Sequence, residues 1–488
     1  MKRVALLMES WEKYFTYAWP SGIMDQFMKT GVKANLYVFN CNAGICGDEM
    51  IASGKRQIYK LPDFKDFDGI IIELNNTTDR KLLDRIIAEI NVSGVPAVAI
   101  NGEFEGLYSV CTDNYHSFMN ILNHLYYSHA SRDFWFITGP EDNYENRSRL
   151  KAVKDFIRDK GLARESYAIH EGGFDTDSGR ASWRALRASY AKIPDVVVCT
   201  NDNVAVGVIA EAELENLRVP DNFLVTGFDN LDKARYFTPR ITTAGVVRER
   251  LGAMAAQVLT DIWNGKAVSR SSMLEPVNIY WDSCGCMPAR PDDLVSVRSD
   301  MREYTKKQIL YSVEREEHSR RDAELRYHLQ HCGTLEDILV EIEKWVAMWH
   351  CDSLDIAVQP MFRRIQKLSA AACEEIIPDN YSYERDGYPG VMDVCLSYDG
   401  ARAKVNSGLE INGMFPYFDR SGTGNVFLFA SISFLDIPIG YISIEGAGYI
   451  MEKQYVFDIV EAITDALGAM SMRSKKKVPE EADSSRAD

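Results

Sequence analysis

The chain has 488 residues, of which 46% are hydrophobic and 26% are charged. These values are typical of globular proteins and exclude a chain that is disordered throughout, while the length predicts about two to four compact units. A formal net charge of −16 disfavours broad electrostatic contact with DNA or with acidic membrane surfaces. We therefore expect a protein that does not bind DNA directly.

The beginning of the chain does not resemble an export signal. Two basic residues precede only five apolar residues within 1–8, too few for the core of a signal peptide, and no later run of about 18 apolar residues predicts a membrane span. The ten cysteines lack the dense spacing of small secreted domains. We expect a cytoplasmic protein with reduced thiols and no membrane contact.

Short apolar runs alternate with helix-like segments through the first half of the chain. The strand-like runs are 4–8, 35–39, 69–72, 97–100, 134–137 and 167–170, and the helix-like segments between and after them are 23–29, 81–90, 115–127, 149–159 and 182–190. This rhythm predicts an α/β fold with parallel sheets.

Two polar loops follow buried strands between 194 and 230. The apolar runs 196–199 and 224–226 flank a helical segment at 204–217 and are followed by Thr200-Asn201-Asp202 and by Phe228-Asp229-Asn230. Ligands of open parallel sheets bind beyond the carboxyl ends of the strands. Asn201 and Asp229 are therefore the leading candidates for ligand binding.

The same stretch resembles the effector-binding domain of the lactose-repressor/galactose-repressor family. The resemblance rests on motifs that occur in the family order, namely Asn201-Asp202, Ala205-Val206-Gly207, Val219-Pro220-Asp221, Gly227-Phe228-Asp229, Phe136-Ile137-Thr138-Gly139-Pro140 and Pro239-Arg240-Ile241-Thr242-Thr243. It covers roughly 1–287 and implies a two-lobed periplasmic-binding-protein-like fold of doubly wound parallel sheets, with the ligand in the cleft between lobes. We expect lobe 1 at about 1–130 and 244–270, and lobe 2 at about 131–243 and 271–287.

The resemblance also implies that Arg149 reaches a ligand's hydroxyls or carboxylate, with Arg147 as the alternative. Asp229 can accept hydrogen bonds from two hydroxyls, and Asn201 can both donate and accept, a combination that favours a sugar-like effector. Alternatively, Asn201 and Asp229 only cap turns and helix starts.

Three further residues are weaker ligand candidates. Tyr14 and Phe15 lie in an aromatic loop after the first strand, where rings can stack on sugar faces or close a hydrophobic patch. Asp113 precedes the helix at Tyr115, and a helix cap is its favoured role over ligand contact.

Motifs for catalysis, cofactors or metals are lacking in the sequence. It contains no phosphate-binding loop with Gly-Lys-Ser/Thr, nucleophile elbow, kinase set or His-Glu-x-x-His. Cys284-Gly285-Cys286 has no second cysteine pair or histidine close in sequence to complete a zinc site, so we interpret it as a tight turn that ends the domain. We predict a protein that is not an enzyme and has no cofactor.

A charged, helix-forming segment at 288–333 predicts a long connecting helix. Its apolar residues could form a dimer seam, or the segment could be a solvated linker; they are Ile309, Leu310, Val313, Leu325 and Leu329.

The remaining segment is similar to a GAF-type sensory domain, an α+β fold. An opening helix at 335–349, strands at 353–359, 426–434 and 439–444, and a closing helix at 455–472 support a domain at 334–474 with its own core. The polar tail 475–488 is expected to be disordered.

The sequence begins directly in a sheet strand, whereas a repressor of the resembled family opens with a helix-turn-helix, so we expect the DNA-reading segment to be missing. The leading hypothesis is a cytoplasmic, noncatalytic sensor, a homodimer in which a sugar closes the interlobe cleft and closure is relayed to the C-terminal domain and an unidentified output protein. One alternative is a transcriptional regulator that acts through a partner or an atypical DNA contact. The other is the sensor part of a truncated diguanylate cyclase.

Overall fold

The structure is a computed structural model, and its helices and strands largely follow the predicted order. It describes residues 1–9, 13–43, 48–75, 77, 79–286, 294–363, 388, 390–412, 414, 417–419, 422, 424–448, 451 and 455–475. Of the predicted disordered tail 475–488, Lys475 is described and is the last residue of a helix, and 476–488 lie outside this range. Among the described residues, no helix is both long enough and apolar enough to cross a membrane.

The strands are β1 (Lys2–Met8), β2 (Ala34–Asn40), β3 (Gly69–Glu73), β4 (Ala97–Ile100), β5 (Tyr108–Thr112), β6 (Phe134–Thr138), β7 (Tyr167–Glu171), β8 (Val196–Cys199), β9 (Leu224–Thr226), β10 (Thr243–Gly245), β11 (Ser271–Leu274), β12 (Val277–Ile279), β13 (Ser353–Val358), β14 (Val391–Tyr398), β15 (Ala403–Asn412), β16 (Val426–Phe434) and β17 (Ile437–Glu445). The helices are α1 (Lys13–Thr30), α2 (Glu49–Arg56), α3 (Arg80–Ser93), α4 (Asn114–Ser128), α5 (Tyr144–Lys160), α6 (Thr176–Ser189), α7 (Asp202–Leu214), α8 (Asp232–Tyr236), α9 (Arg248–Trp263), α10 (Leu294–Leu329), α11 (Leu335–Trp345), α12 (Pro360–Arg363) and α13 (Tyr455–Lys475).

The chain folds into two compact units, each built from segments that are distant in sequence. Unit 1 comprises Met1–Tyr108, Gly252–Ser269 and Ser312–Asp488, and unit 2 comprises Ser109–Leu251 and Arg270–Tyr311. These bounds differ from the predicted lobes at α4, which belongs to unit 2. The reason is that apolar residues of α4, such as Phe118 and Leu122, share a core with Phe134 and Phe136 of β6.

Unit 2 contains a four-stranded parallel sheet in the order β7-β6-β8-β9. Alternate residues of β6 face opposite sides of this sheet, as the period of a strand requires. Trp135 and Ile137 pack with α6 and α7, whereas Phe134 and Phe136 pack with α4 and α5. Helices therefore cover both faces, which confirms the predicted doubly wound α/β architecture.

The first part of unit 1 is also a parallel sheet, in the order β4-β3-β1-β2. The part of helix α9 from Gly252 onward belongs to this unit. The ring of Trp263 stacks on Phe27 at 5.8 Å, and the Gln26 amide donates to the Gln257 side chain at 2.6 Å.

The C-terminal strands continue the sheet of unit 1. Strand β16 pairs in parallel with β2, and the antiparallel strands β17, β13, β14 and β15 follow in that order. Tyr37 stacks on Phe427 at 5.0 Å and Phe39 stacks on Phe429 at 5.1 Å, so that one hydrophobic core serves both parts. The expectation of a separate C-terminal core is therefore wrong, because β2 offers an apolar edge that β16 completes.

The mixture of antiparallel strands with α11 and α13 agrees with the α+β character predicted for 334–474. The similarity to a GAF-type domain remains a prediction. Sequence analysis missed β14 and β15, which lie on the far side of β13 from β17.

The predicted connecting helix is present as α10, and its two halves have different partners. In unit 2, Tyr304 stacks on Tyr236 at 3.9 Å. In unit 1, His318 contacts Asp458 of α13 at 2.8 Å. Leu325 and Leu329 are buried within the chain and cannot contribute to a dimer seam, whereas Ile309, Leu310 and Val313 are exposed.

Candidate functional site

Polar residues gather at the carboxyl edge of the unit 2 sheet, where strands β6, β8 and β9 end. A buried amide organises the loop after β6. The Asn146 side chain accepts from Gly139 N at 2.8 Å and donates to the carbonyls of Gly139 and Pro140 at 2.7 and 2.8 Å. The start of α5 is thereby fixed to the sheet, and α5 carries the central side chain of the site.

That side chain is Arg149, which is almost completely buried, with 5% of its side chain exposed. Its Nε donates to Asn114 Oδ1 at 2.9 Å, Nη1 to the Thr200 carbonyl at 2.8 Å and Nη2 to Asp229 Oδ1 at 3.1 Å. The guanidinium also lies 4.1 Å from the ring centroid of Phe228. Three hydrogen bonds and a ring contact hold the planar group in one orientation.

The alternative residue, Arg147, is exposed and does not reach this edge. Its Nη1 donates to the Asp142 carbonyl at 2.7 Å within the preceding loop. The structure therefore brings Arg149, rather than Arg147, together with Asp229.

Asp229 adopts a backbone conformation that side chains disfavour, with φ of +94°. Such a conformation costs on the order of 1–3 kcal/mol and persists only where the surroundings enforce it. Here Asp229 N donates to the Ala244 carbonyl at 2.7 Å, and a Cβ at Gly245 would lie 2.6 Å from the Asp229 carbonyl group. The glycine permits this close approach, which directs the Asp229 carboxylate toward Arg149.

Asn201 and Asp113 act as helix caps in the structure. Asn201 Oδ1 accepts from Val204 N at 2.9 Å at the start of α7, and its Nδ2 donates to the Phe174 carbonyl at 2.8 Å. Asp113 Oδ1 accepts from His116 N at 3.1 Å at the start of α4. These contacts correspond to the capping alternative that the sequence left open, and a ligand role for either residue stays a prediction.

The two aromatic candidates, Tyr14 and Phe15, belong to unit 1, in the first turn of α1. Their side chains lie outside the described part of the structure, so their role in stacking remains a prediction.

Sequence analysis missed several charged residues of this edge. Glu145 Oε1 lies 3.6 Å from Arg149 Nη2, and Arg248 Nη2 lies 3.9 Å from Asp229 Oδ2. Burial raises the pKa of Glu145, while the charge of Arg149 acts in the opposite direction. The spacing of Glu145 and Arg149, one helical turn apart, was a usable signal, whereas the approach of Arg248 depends on the fold.

Asp202 is a second missed acid and is fully buried. Its Oδ2 accepts from Leu231 N at 2.8 Å. Burial, with a further contribution from the neighbouring Asp229 carboxylate, raises the pKa of Asp202 well above its usual value. Asp202 therefore favours its neutral form, whereas the neighbouring Asp229 forms an ion pair with Arg149. The two carboxyl groups of this edge thus differ in charge.

Unit 1 has its own polar cluster at the carboxyl end of β1. Glu9 follows this strand and is buried, and its Oε1 lies 3.3 Å from Arg56 Nε. The Tyr59 hydroxyl donates to the Met8 carbonyl at 2.7 Å. Burial raises the pKa of Glu9, an effect that Arg56 opposes. The position of Glu9 directly after the first strand was the available sequence signal.

Comparison with known proteins places this edge in a recognised type of domain. Residues 123–284 match the family model for a periplasmic binding protein-like domain. The HTH-type transcriptional repressor PurR of Edwardsiella ictaluri is 35% identical over 130 residues, which are 27% of this chain and 38% of that protein. The HTH-type transcriptional repressor CytR of Escherichia coli K12 is 28% identical over 183 residues, which are 37% of this chain and 53% of that protein. The matched region spans only part of these relatives' length.

Among solved structures, the transcription regulator CcpA of Lactococcus lactis has a TM-score of 0.48 and 19% identity. The match covers 58% of this chain and 99% of that one.

Residues 123–284 are thus similar to a periplasmic binding protein-like domain, and part of the chain is similar to part of the PurR and CytR repressors, in agreement with the resemblance found in the sequence. These relatives are named as repressors and not as enzymes. Their names do not support the expectation that direct DNA binding is disfavoured, because helix-turn-helix repressors read DNA.

Cys284 belongs to a tight turn closed by Gly285. No histidine is close to the two cysteines in sequence, but His124 and His129 lie beside them in unit 2.

Proposed function

We propose that the protein is a cytoplasmic, noncatalytic sensor that binds a sugar or a similar polar small molecule at the carboxyl edge of the unit 2 sheet. The observation that carries this proposal is the oriented Arg149–Asp229 pair at 3.1 Å, with Glu145 and Arg248 beside it. Arginine supplies donors and the carboxylates supply acceptors, and a polyol requires both. The similarity to repressors with a periplasmic-binding-protein-like domain supports the same function.

The exposure of these side chains suits an incoming ligand. Asp229 and Glu145 keep 19% and 24% of their side chains exposed, whereas Arg149 behind them is buried. A ligand hydroxyl can therefore donate to a carboxylate oxygen without first displacing the arginine. Because the pair is already oriented, little ordering is needed on binding.

A calorimetric screen of the intact chain against monosaccharides, sugar acids, polyols and nucleosides tests the proposal. Asp229→Asn keeps the size of the side chain, and asparagine tolerates positive φ, so this variant should fold. A hydrogen bond to a charged group contributes about 1.5–3 kcal/mol, so affinity should fall by roughly 10- to 150-fold.

The matched control is Asp232→Asn, which changes an exposed carboxylate nearby on α8 and should leave affinity unchanged. Equal affinity of the wild type and Asp229→Asn would refute the assignment of the site, and a wild type that binds none of these compounds would refute the ligand class.

The sensor is further proposed to act as a homodimer through α10 and to pass the signal to an unidentified output protein. Ile309 and Leu310 are 58% and 52% exposed on this helix, which supports an intermolecular contact there. Sedimentation of the double variant Ile309→Glu/Leu310→Glu tests this part. A wild type that is monomeric at micromolar concentration would contradict it.

A second candidate function is transcriptional regulation, which the similarity to PurR and CytR favours. Direct DNA contact would produce binding that weakens steeply with salt, because phosphate contacts release counterions. Fluorescence anisotropy with duplex DNA at two salt concentrations separates this function from that of a sensor with a protein partner.

A further inference from the structure

Four side chains of unit 2 that are widely separated in sequence converge on one point. His124 lies on α4, His129 follows the end of that helix, and Cys284 and Cys286 belong to the turn after β12. Their two ring nitrogens and two sulfurs all lie within 4.8 Å of one another. Cys286 Sγ is 3.3 Å from each histidine Nε2, the two Nε2 atoms are 3.0 Å apart, and Cys284 Sγ is 3.8 Å from His124 Nε2.

The three sulfur–nitrogen separations of 3.3, 3.3 and 3.8 Å are close to those of a tetrahedral zinc site. With bonds of about 2.3 Å to sulfur and about 2.0 Å to nitrogen, tetrahedral ligand atoms lie roughly 3.3–3.8 Å apart. Small shifts of the 3.0 Å pair would accommodate an ion. Two thiolates and two imidazoles form a common ligand set of structural zinc, and His124 and His129 have a spacing frequent in such sites.

The cysteine turn is held rigidly in place. Ser283 directly precedes Cys284. Its hydroxyl donates to the Val225 carbonyl at 2.6 Å and accepts from Thr242 N at 2.8 Å. Gly285 closes the turn with φ of +81°. The start of the turn is thus fixed to β9 and to Thr242, which directly precedes β10.

The histidine side is also positioned by the fold. The His124 ring stacks on Tyr280 at 3.9 Å. Ser117, two turns earlier on α4, donates to the Asn278 side chain at 2.7 Å, and Asn278 returns a bond to the Ser117 carbonyl at 2.9 Å. Contacts of the neighbouring residues Ser117, Asn278 and Ser283 therefore help to position the four side chains.

We propose that His124, His129, Cys284 and Cys286 bind one structural zinc ion. Both thiols would lose their protons on binding, and each neutral imidazole would bind through Nε2, so that all four positions are filled by protein and none remains for a reacting water. The ion would fasten α4 to the turn at Cys284–Cys286, which precedes α10 in the sequence. Zinc would thus stabilise the same unit that carries Arg149 and Asp229.

The metal content of the purified full chain tests the proposal. After loading with zinc and dialysis against a weak chelator, mass spectrometry should find one zinc ion per chain. Cys286→Ser and His129→Gln should each lose it. Two controls should retain it, namely His116→Gln, an exposed histidine of the same helix, and Cys332→Ser, a cysteine outside the cluster.

Cobalt substitution of the wild type provides a second measurement that does not depend on variants that could fail to fold. Cobalt(II) should give intense visible bands of tetrahedral coordination and a near-ultraviolet thiolate charge-transfer band. A wild type that holds no zinc after loading, or cobalt bound only with weak octahedral bands, would overturn the proposal and leave a hydrogen-bonded thiol–imidazole cluster. Equal zinc content in the wild type and both ligand variants would overturn it as well.

Discussion

The two units of this chain use parallel strands in different ways. In unit 2, the four-stranded sheet ends in loops whose polar side chains are drawn together, with Arg149 and Asp229 at the centre. In unit 1, strand β2 instead accepts β16 from the far end of the sequence, and the sheet grows into an antiparallel region. The unit 2 sheet thus carries a polar cluster at its carboxyl edge, whereas the unit 1 sheet is extended by an additional strand beside β2.

The two units differ because a strand edge and the carboxyl edge of a sheet expose different chemical groups. An open strand edge exposes unpaired backbone groups and the apolar side chains beside them, and an added strand satisfies both. A carboxyl edge exposes loops and helix starts, where polar side chains can meet a ligand. Unit 1 is therefore expected to respond most to loss of packing, and unit 2 to loss of charge.

Deletion of 334–488 should have the largest effect. It removes β16 from β2 and exposes the aromatic faces of Tyr37 and Phe39, so unit 1 should lose cooperative unfolding and aggregate. Differential scanning calorimetry and hydrogen exchange of the β2 amides measure this. A truncated chain that unfolds at the wild-type temperature with β2 still protected would show that the two parts are separate domains, as the sequence suggested.

Phe429→Ala should destabilise unit 1 by about 3–5 kcal/mol, the usual cost of emptying a buried aromatic site. Phe429 is fully buried and stacks on Phe39 at 5.1 Å, so the variant tests the shared core without removing a strand. Urea unfolding followed by near-ultraviolet circular dichroism gives the change. Leu409→Ala, on β15 and 56% exposed, is the control. Similar losses for both variants would argue against a shared core.

Local patterns predicted most elements, but not the joining of the two parts of unit 1. Strands β4, β8, β9 and β16 have the predicted bounds, because each is a short apolar run between breakers. Strand β15 was missed because it contains several polar residues, such as Lys404, Asn406 and Glu410, and also Gly408. The pairing of β2 with β16 joins residues about 390 positions apart, and strand patterns alone do not specify such partners.

The candidate site shows the same limit. Asp229 and Arg149 were identifiable because motif order placed them after strands, whereas Arg248 and the cysteine–histidine cluster depend on contacts between distant segments. Asn201 was identified for the same reason as Asp229, yet the structure uses its side chain to cap α7.

In unit 2, Arg149→Met should reduce stability by about 1.5–3 kcal/mol, because Asp229 and Asn114 lose a charged partner. Methionine keeps most of the packing volume, so that the loss reports on charge and hydrogen bonding. The control Arg147→Ala, two positions away and exposed, should change stability by less than about 0.5 kcal/mol. Urea unfolding monitored by tryptophan fluorescence compares them, and an unaltered midpoint for Arg149→Met would mean that the pair contributes no net stability.

The last prediction concerns the pH dependence of stability through Asp202, whose pKa is raised well above its usual value by burial and by Asp229. An acid with a raised pKa in the folded state binds its proton more tightly there than in the unfolded chain. Its contribution to stability is therefore full below the unfolded pKa, near about 3.9, and is lost as pH rises toward the folded value. Arg248, Thr243 and Leu231 N act in the opposite direction but are outweighed by burial.

Asp202→Asn has no proton to lose, and its amide oxygen can still accept from Leu231 N. The variant should therefore differ least from the wild type at the acidic end of the range, near pH 4.5, and become relatively more stable as pH rises to 8.5. Urea midpoints at several pH values measure the difference. A constant difference across this range would show that Asp202 has the same pKa in the folded and unfolded states. Burial would then not keep Asp202 neutral, and both Asp202 and Asp229 would carry negative charge at this edge.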